Sequence, residues 1–172
     1  AAQSASTATL VKTSTLNCTG SPVSYSVNST ANITTYSWSV FPTKDLVAFT
    51  DLNTATISLT FSSTAHHTVY LNYTDNAGAN GIAITPLTVY QSPKSSFNAS
   101  FNAPGFPTDL ILTNYSKNFT ANFWSFSDSE GDSALNTSKS YTTSGNYTVT
   151  LLSFGDKGCK DSASYDFVIS NA

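Results

Sequence analysis

The chain is written twice. Trp124 stands 86 positions after Trp38, and "NSTANITTYSW" (Asn28 to Trp38) lies over "NYSKNFTANFW" (Asn114 to Trp124), so that Asn28 matches Asn114, Thr30 matches Ser116 and Asn32 matches Asn118. Further on the offset falls to 80. There "HTVYLNYTDNAGA" (His67 to Ala79) lies over "YTVTLLSFGDKGC" (Tyr147 to Cys159), with Val69 on Val149, Leu71 on Leu151 and Gly78 on Gly158. The six-residue difference sits in the variable stretch between the two matches, where a loop absorbs it. A duplication of about 85 residues is a statement about organisation: two units of one fold in series.

Within each copy apolar residues alternate at period two. The rows are Val23, Tyr25, Val27; Tyr36, Trp38, Val40; Ile57, Leu59, Phe61; Val69, Leu71, Tyr73; and Ile82, Ile84. In the second copy they are Leu110, Leu112; Trp124, Phe126; Tyr147, Val149, Leu151; and Tyr165, Phe167, Ile169. Successive side chains on a strand point to opposite faces, so each row buries one face and leaves Ser and Thr on the other. Turn residues (Pro22, "DNAGANG", "APGFP", "SEGD", "SGN", "GDKG") separate the rows at the spacing of a sandwich. Composition agrees. Ser and Thr number 54 of 172 residues, 40% of the chain is hydrophobic and 13% aromatic, and helix formers are scarce, with no Met, one Glu and no Arg. The expectation is an all-β chain of two immunoglobulin-like antiparallel β-sandwich domains in tandem, residues 1–91 and 92–172, joined through the short linker "QSPKSS".

A net charge of −3 with seven Lys and no Arg argues against nucleic acid, which is recognised through Arg forks and clustered basic faces. No apolar run approaches the ~18 residues of a membrane helix, so this segment is not expected to insert into a membrane. The start "AAQSASTATL", small and polar, suits a mature end left by signal cleavage, and "ISNA" follows directly on a strand-like run. Both suggest a fragment of a longer extracellular protein.

The second copy resembles the polycystic kidney disease (PKD) domain, a family marked by a "W-x-F-G-D-G" turn and a "G-x-Y-x-V-T-L" strand. "WSFSDSEGD" stands for the first, and "GNYTVTL" (Gly145 to Leu151) followed by "SFGDKGCKD" for the second. Trp124, Phe126, Asp128, Gly145, Tyr147, Val149 and Leu151 fall on the motif, while Ser127 and Ser129 replace its two glycines, so the turn there is altered or longer. The first copy keeps Trp38 but lacks the acidic turn and has His67 in place of the Tyr. It is similar to the PKD-like variety of long bacterial surface repeat proteins.

The resemblance implies that the acidic turn after the Trp strand defines the fold, with Asp128 accepting hydrogen bonds from backbone N–H groups of the turn. The sharper alternative is calcium held by Asp128, Glu130 and Asp132, but a calcium site takes six to eight oxygens and "DSEGD" lacks the length and terminal Glu of an EF-hand loop. No cofactor is therefore expected. His66 and His67 are adjacent on a strand and face opposite ways, the expected pair being one exposed and one half-buried. No hydroxyl or thiol has a recognisable base, and the single Glu has no partner for glycosidase work. An enzymatic role is not expected. Trp38 and Trp124 fall on core rows, whereas Phe41 and Phe123 lie on the opposite parity and Phe106 in a loop, which makes these three the candidates for contact with a glycan or protein partner.

Nine Asn residues lie in N-x-S/T, beginning with Asn17, Asn28 and Asn32, an excess that strands alternating Asn with Thr also produce. "DSA" at Asp132 and Asp161 resembles a short bacterial O-glycosylation signal, making Ser133 and Ser162 candidates. Cys18 opens the first copy and Cys159 closes the second. Related surface repeats carry both positions as a pair within one domain, which implies that here the two either bridge the domains or remain separate thiols. The function these readings imply is an interaction and spacer module of a cell-surface adhesin or secreted repeat protein, its partners being other domains of the same chain or a surface protein or glycan. The alternative is an accessory polysaccharide- or matrix-binding module of a secreted hydrolase.

Overall fold

The computed structural model describes residues 6–103 and 107–170. The chain divides into two compact units, Ala1–Gln91 and Ser92–Ala172, each a pair of antiparallel sheets. Unit 1 runs β1 (Ala8–Lys12), β2 (Val23–Ser29), β3 (Ile33–Phe41), β4 (Leu46–Phe49), β5 (Thr56–Phe61), β6 (Ala65–Asp75) and β7 (Asn80–Val89). Its sheets have the orders β1-β2-β5-β4 and β3-β6-β7, the arrangement of a constant-type immunoglobulin domain. Unit 2 runs β8 (Phe97–Phe101), β9 (Thr108–Asn114), β10 (Ala121–Phe126), β11 (Ser129–Asp132), β12 (Thr137–Tyr141), β13 (Gly145–Phe154) and β14 (Lys160–Ile169). Here the orders are β12-β9-β8 and β11-β10-β13-β14.

The fourth strand thus changes sheet between the copies, and the chain before it explains why. Only Ser127 and Asp128 separate β10 from β11, and so short a connection returns the chain beside the strand it left, as a hairpin. Four residues, Pro42 to Asp45, separate β3 from β4, with Asp45 in the left-handed region (φ 66°), and the chain crosses to the opposite sheet to pair with β5. The six-residue slip between the copies falls in this part of the fold.

Each core centres on its tryptophan. Trp38 is opposite Leu71 and Trp124 opposite Leu151, the same register in both units, and the indoles are 2% and 0% exposed. Val23, Ile57, Leu59, Phe61 and Val69 close around the first. Leu110, Leu112, Val149 and the edge of Phe97, 5.2 Å away in a T-shaped contact, close around the second. Two expected core rows are corrected. Ile82 and Ile84 are each 55% exposed, because directly paired residues share a face and Leu71 and Tyr73 bring Ala83 and Gly81 inward. Gly81 is required there, since a Cβ would meet the Tyr73 ring at 2.3 Å. Tyr165 is 41% exposed, on the edge strand beyond the closed part of the core.

Replacing either tryptophan by Ala is expected to cost about 3–5 kcal/mol, as deletions of large buried side chains do. Urea unfolding of Trp38→Ala and Trp124→Ala checks this; a loss under about 1 kcal/mol at either position would mean that its indole is not a core residue.

Candidate functional site

The acidic segment of unit 2 does not converge on one point. Asp128, at the turn between β10 and β11, accepts from the Lys139 ammonium on β12, which also donates to Ser129 Oγ. Lys139 lies over the rings of Phe126 and Tyr141, 4.8 and 5.2 Å from their centroids, and so ties the edge of one sheet to the edge of the other. Burial raises the Tyr141 hydroxyl well above the ordinary phenol range, and the charge of Asp128 adds to the effect. Glu130 is exposed on β11. Asp132 accepts from the hydroxyl of Thr137 and from the backbone N–H of Ala134, at 3.0 Å for the latter. Among the described residues no group of three or more His, Cys, Asp or Glu is placed to hold a metal ion.

The backbone acceptor expected at Asp128 is therefore found at Asp132, and the reason is the two-residue hairpin, which aims Asp128 at Lys139. Asp132 turns the chain so that the carbonyl of Ala134 receives the Trp124 indole N–H at 3.0 Å. Unit 1 repeats the device: Asp51 accepts from the Asn53 N–H, and the carbonyl of Thr54 receives the Trp38 indole N–H at 2.8 Å. Lys139 was not singled out from the sequence. Its signal was its inward parity with Thr137 and Tyr141.

Unit 1 presents a different surface. On the outer face of β3-β6-β7 the cross-strand rows are Phe41–Thr68–Pro86, Ser39–Tyr70–Ile84 and Ser37–Asn72–Ile82. Phe41 is 70% exposed, and no Lys, Asp or Glu stands on these rows. Phe123 belongs to unit 2, where it is 39% exposed with its ring close over Gly131. Phe106 lies outside the described residues. Phe41 and Phe123 thus belong to different units; Phe41 shares its face with Tyr70, Ile82 and Ile84, which sequence reading assigned elsewhere or passed over. His66 is exposed beside Thr88, while His67 is buried rather than half-buried, its Nδ1 2.7 Å from the Pro42 carbonyl and its ring against Phe61. Behind β3 and β4 an apolar cavity of about 260 Å³ is lined by Trp38, Val40, Leu46, Phe49 and Leu52.

Residues 97–169 match the family model of the PKD domain, and residues 4–87 match that of a PKD-like domain. The chain is a tandem of two PKD-type domains. Among solved structures it is similar to the PKD1 domain of the Vibrio cholerae metalloprotease PrtV, with 24% identity over 46% of this chain and 99% of that one and a TM-score of 0.41. The PKD1 domain of Vibrio anguillarum Epp gives 26% identity over 48% and 98%, with a TM-score of 0.41. The fibronectin(III)-like modules of Clostridium thermocellum CbhA give 12% identity over 95% of each chain, with a TM-score of 0.45. No curated protein matches the chain. PKD domains are typically non-catalytic, extracellular accessory modules. No helix among the described residues is long and apolar enough to cross a membrane.

In the second PKD domain Ser133 and Ser162 are both exposed, and the aspartates before them are engaged, Asp132 as above and Asp161 accepting the Ser95 N–H at 2.7 Å. Cys18 and Cys159 are buried. Cys18 stands opposite Tyr90 at the last strand of its domain, with the Thr19 N–H donating to the Tyr90 carbonyl. Cys159 closes the β13–β14 turn, two residues before Asp161.

Two carboxylates set the expected response to acid. The Asp132 carboxyl is held below its ordinary range by the Thr137 hydroxyl and the Ala134 N–H, and that of Asp75 by the N–H groups of Ala79 and Ala77. Both folded values are depressed, so folding favours the ionised form; the stabilisation is present above the unfolded value near 4 and is lost as pH falls through the folded values. Melting temperature followed from pH 6 downward is expected to fall less steeply in Asp75→Asn and Asp132→Asn than in the parent. Equal slopes would remove these two groups as the cause.

Proposed function

We propose that the tandem is a non-catalytic interaction and spacer segment of a larger cell-surface adhesin or secreted repeat protein. The observation that carries this reading is the uncharged outer face of β3-β6-β7, where Phe41, Tyr70, Ile82 and Ile84 stand among Ser, Thr and Asn. Such a face offers area and hydrogen bonds to a partner; its exposed imidazole, His66, is hydrogen-bonded to the Thr88 hydroxyl, and no carboxylate stands on these rows beside it. The candidate carboxylates support the same reading, each being engaged in a turn or an ion pair except the exposed Glu130. A second reading has support from the same rows: aromatic rings among hydroxyls also suit the alternating CH and OH faces of a polysaccharide, as in an accessory module of a secreted hydrolase.

Co-sedimentation with insoluble cellulose and chitin separates the two. The adhesin reading expects the protein to stay in solution. Retention that Phe41→Ala abolishes would replace it with the hydrolase reading. That substitution is expected to change stability by less than about 0.5 kcal/mol, since the side chain is exposed.

We further propose that Cys18 and Cys159 form a disulfide. Each is buried at the part of its own domain that adjoins the linker, Cys18 beside Tyr90 and Cys159 close to the Asp161–Ser95 contact. An extracellular compartment permits the oxidation, and closing a loop of about 140 residues would stabilise the tandem by roughly 5 kcal/mol on the chain-entropy estimate. Titration of the denatured, unreduced protein is expected to find no reactive thiol, with the chain migrating as a monomer on a non-reducing gel. Two thiols per chain, or a covalent dimer, would overturn the bridge.

A further inference from the structure

The last strands of the two domains correspond at the offset of 80, Asn80–Val89 on Lys160–Ile169, and both are edge strands. An edge strand offers a row of unused N–H and C=O groups to any other strand, and proteins blunt that row with proline, bulges, charged side chains or cover. Domain 1 does so. β7 carries Pro86 in its length, and β1 packs against it. Domain 2 has neither proline nor bulge there: at the position of Pro86 stands Asp166, β14 pairs with β13 over ten consecutive residues, and charge enters the free row only at its ends, as Lys160 and Asp166.

Which groups are free follows from the ladder. Thr148 on β13 bonds Ser127 through both its N–H and its C=O, so even-numbered residues of β13 face β10 and odd-numbered ones face β14. The turn agrees, with the Gly155 N–H donating to the Cys159 carbonyl at 2.7 Å. Residues paired across the two strands have the same parity, so the backbone groups of Lys160, Ser162, Ser164 and Asp166 point away from the sheet. Among the described residues nothing bonds them. All four side chains share one face, because they alternate along the strand.

This edge is complementary to itself. Set antiparallel to a second β14 with Ala163 on the two-fold axis, it places Lys160 opposite Asp166 at both ends and Ser162 opposite Ser164 between them. Each pair exchanges two backbone hydrogen bonds, and the opposite charges fix the register. Among the described residues the Lys160 ammonium has no ion pair, and Asp166 uses Oδ1 for the Thr148 hydroxyl, leaving Oδ2 for the lysine. We propose that β14 is a homotypic docking edge, joining two copies of the chain into one continuous sheet across a two-fold axis.

Sedimentation velocity of the whole 172-residue chain from micromolar to millimolar concentration tests this. A concentration-dependent dimer is expected. Asp166→Pro, which copies Pro86, should leave the melting temperature near that of the parent and abolish the dimer. Asp166→Lys, which sets Lys against Lys, should weaken it about tenfold or more, and Lys160→Asp combined with Asp166→Lys should restore it to within about threefold. If Asp166→Pro fails to fold, the two charge variants decide alone. A monomer throughout the range, or a dimer indifferent to these substitutions, would overturn the proposal.

Discussion

A buried indole carries one N–H that must find an acceptor, and in both domains that acceptor is a backbone carbonyl just beyond the fourth strand. Thr54 supplies it to Trp38 and Ala134 to Trp124. An unmet donor in so dry a place would cost about 1–3 kcal/mol, and meeting it holds the connection against the core. An aspartate shapes that connection each time, Asp51 in the first domain and Asp132 in the second. In the second turn Asp132 orients a carbonyl and Asp128 closes a seam, at separate places, while Glu130 is exposed.

The fourth strand shows how far two copies can diverge while that contact persists. A two-residue turn keeps β11 beside β10, whereas the longer passage through Pro42 to Asp45 carries β4 to the other sheet. The chemistry of the seam changes with it. In the second domain Lys139 spans the sheets, its charge neutralised by Asp128 and its stem lying over Phe126 and Tyr141. In the first, among the described residues, no cation spans the sheets in this way, and the seam opens on the apolar cavity behind β3. One domain is polar where its twin is greasy, which is how a duplicated fold acquires two different surfaces.

Much of the architecture was legible because period two is a physical signature. Val69, Leu71, Val149 and Leu151 alternate with polar residues, and the tryptophans fall in step with them. The reading failed at Ile82 and Ile84, where the local pattern looked the same. There β6 imposes the face, and two isoleucines are turned to solvent beside Tyr70 and Asn72. Asp128 failed for a similar reason. Nothing local distinguishes a carboxylate that will meet Lys139 eleven positions later from one that will cap its own turn.

The sequence by itself determined the two-fold repeat, the sandwich class and the burial of both tryptophans, because alternation and duplication are properties of neighbouring residues and survive without knowledge of partners. It also determined that Phe41 faces away from the core of its strand. Only the tertiary structure decided which sheet receives the fourth strand, which aspartate meets a lysine and which a backbone N–H, and that Phe41 shares its face with two isoleucines. Those outcomes depend on residues far apart in the chain, brought together by turn length and by the strand that happens to lie alongside.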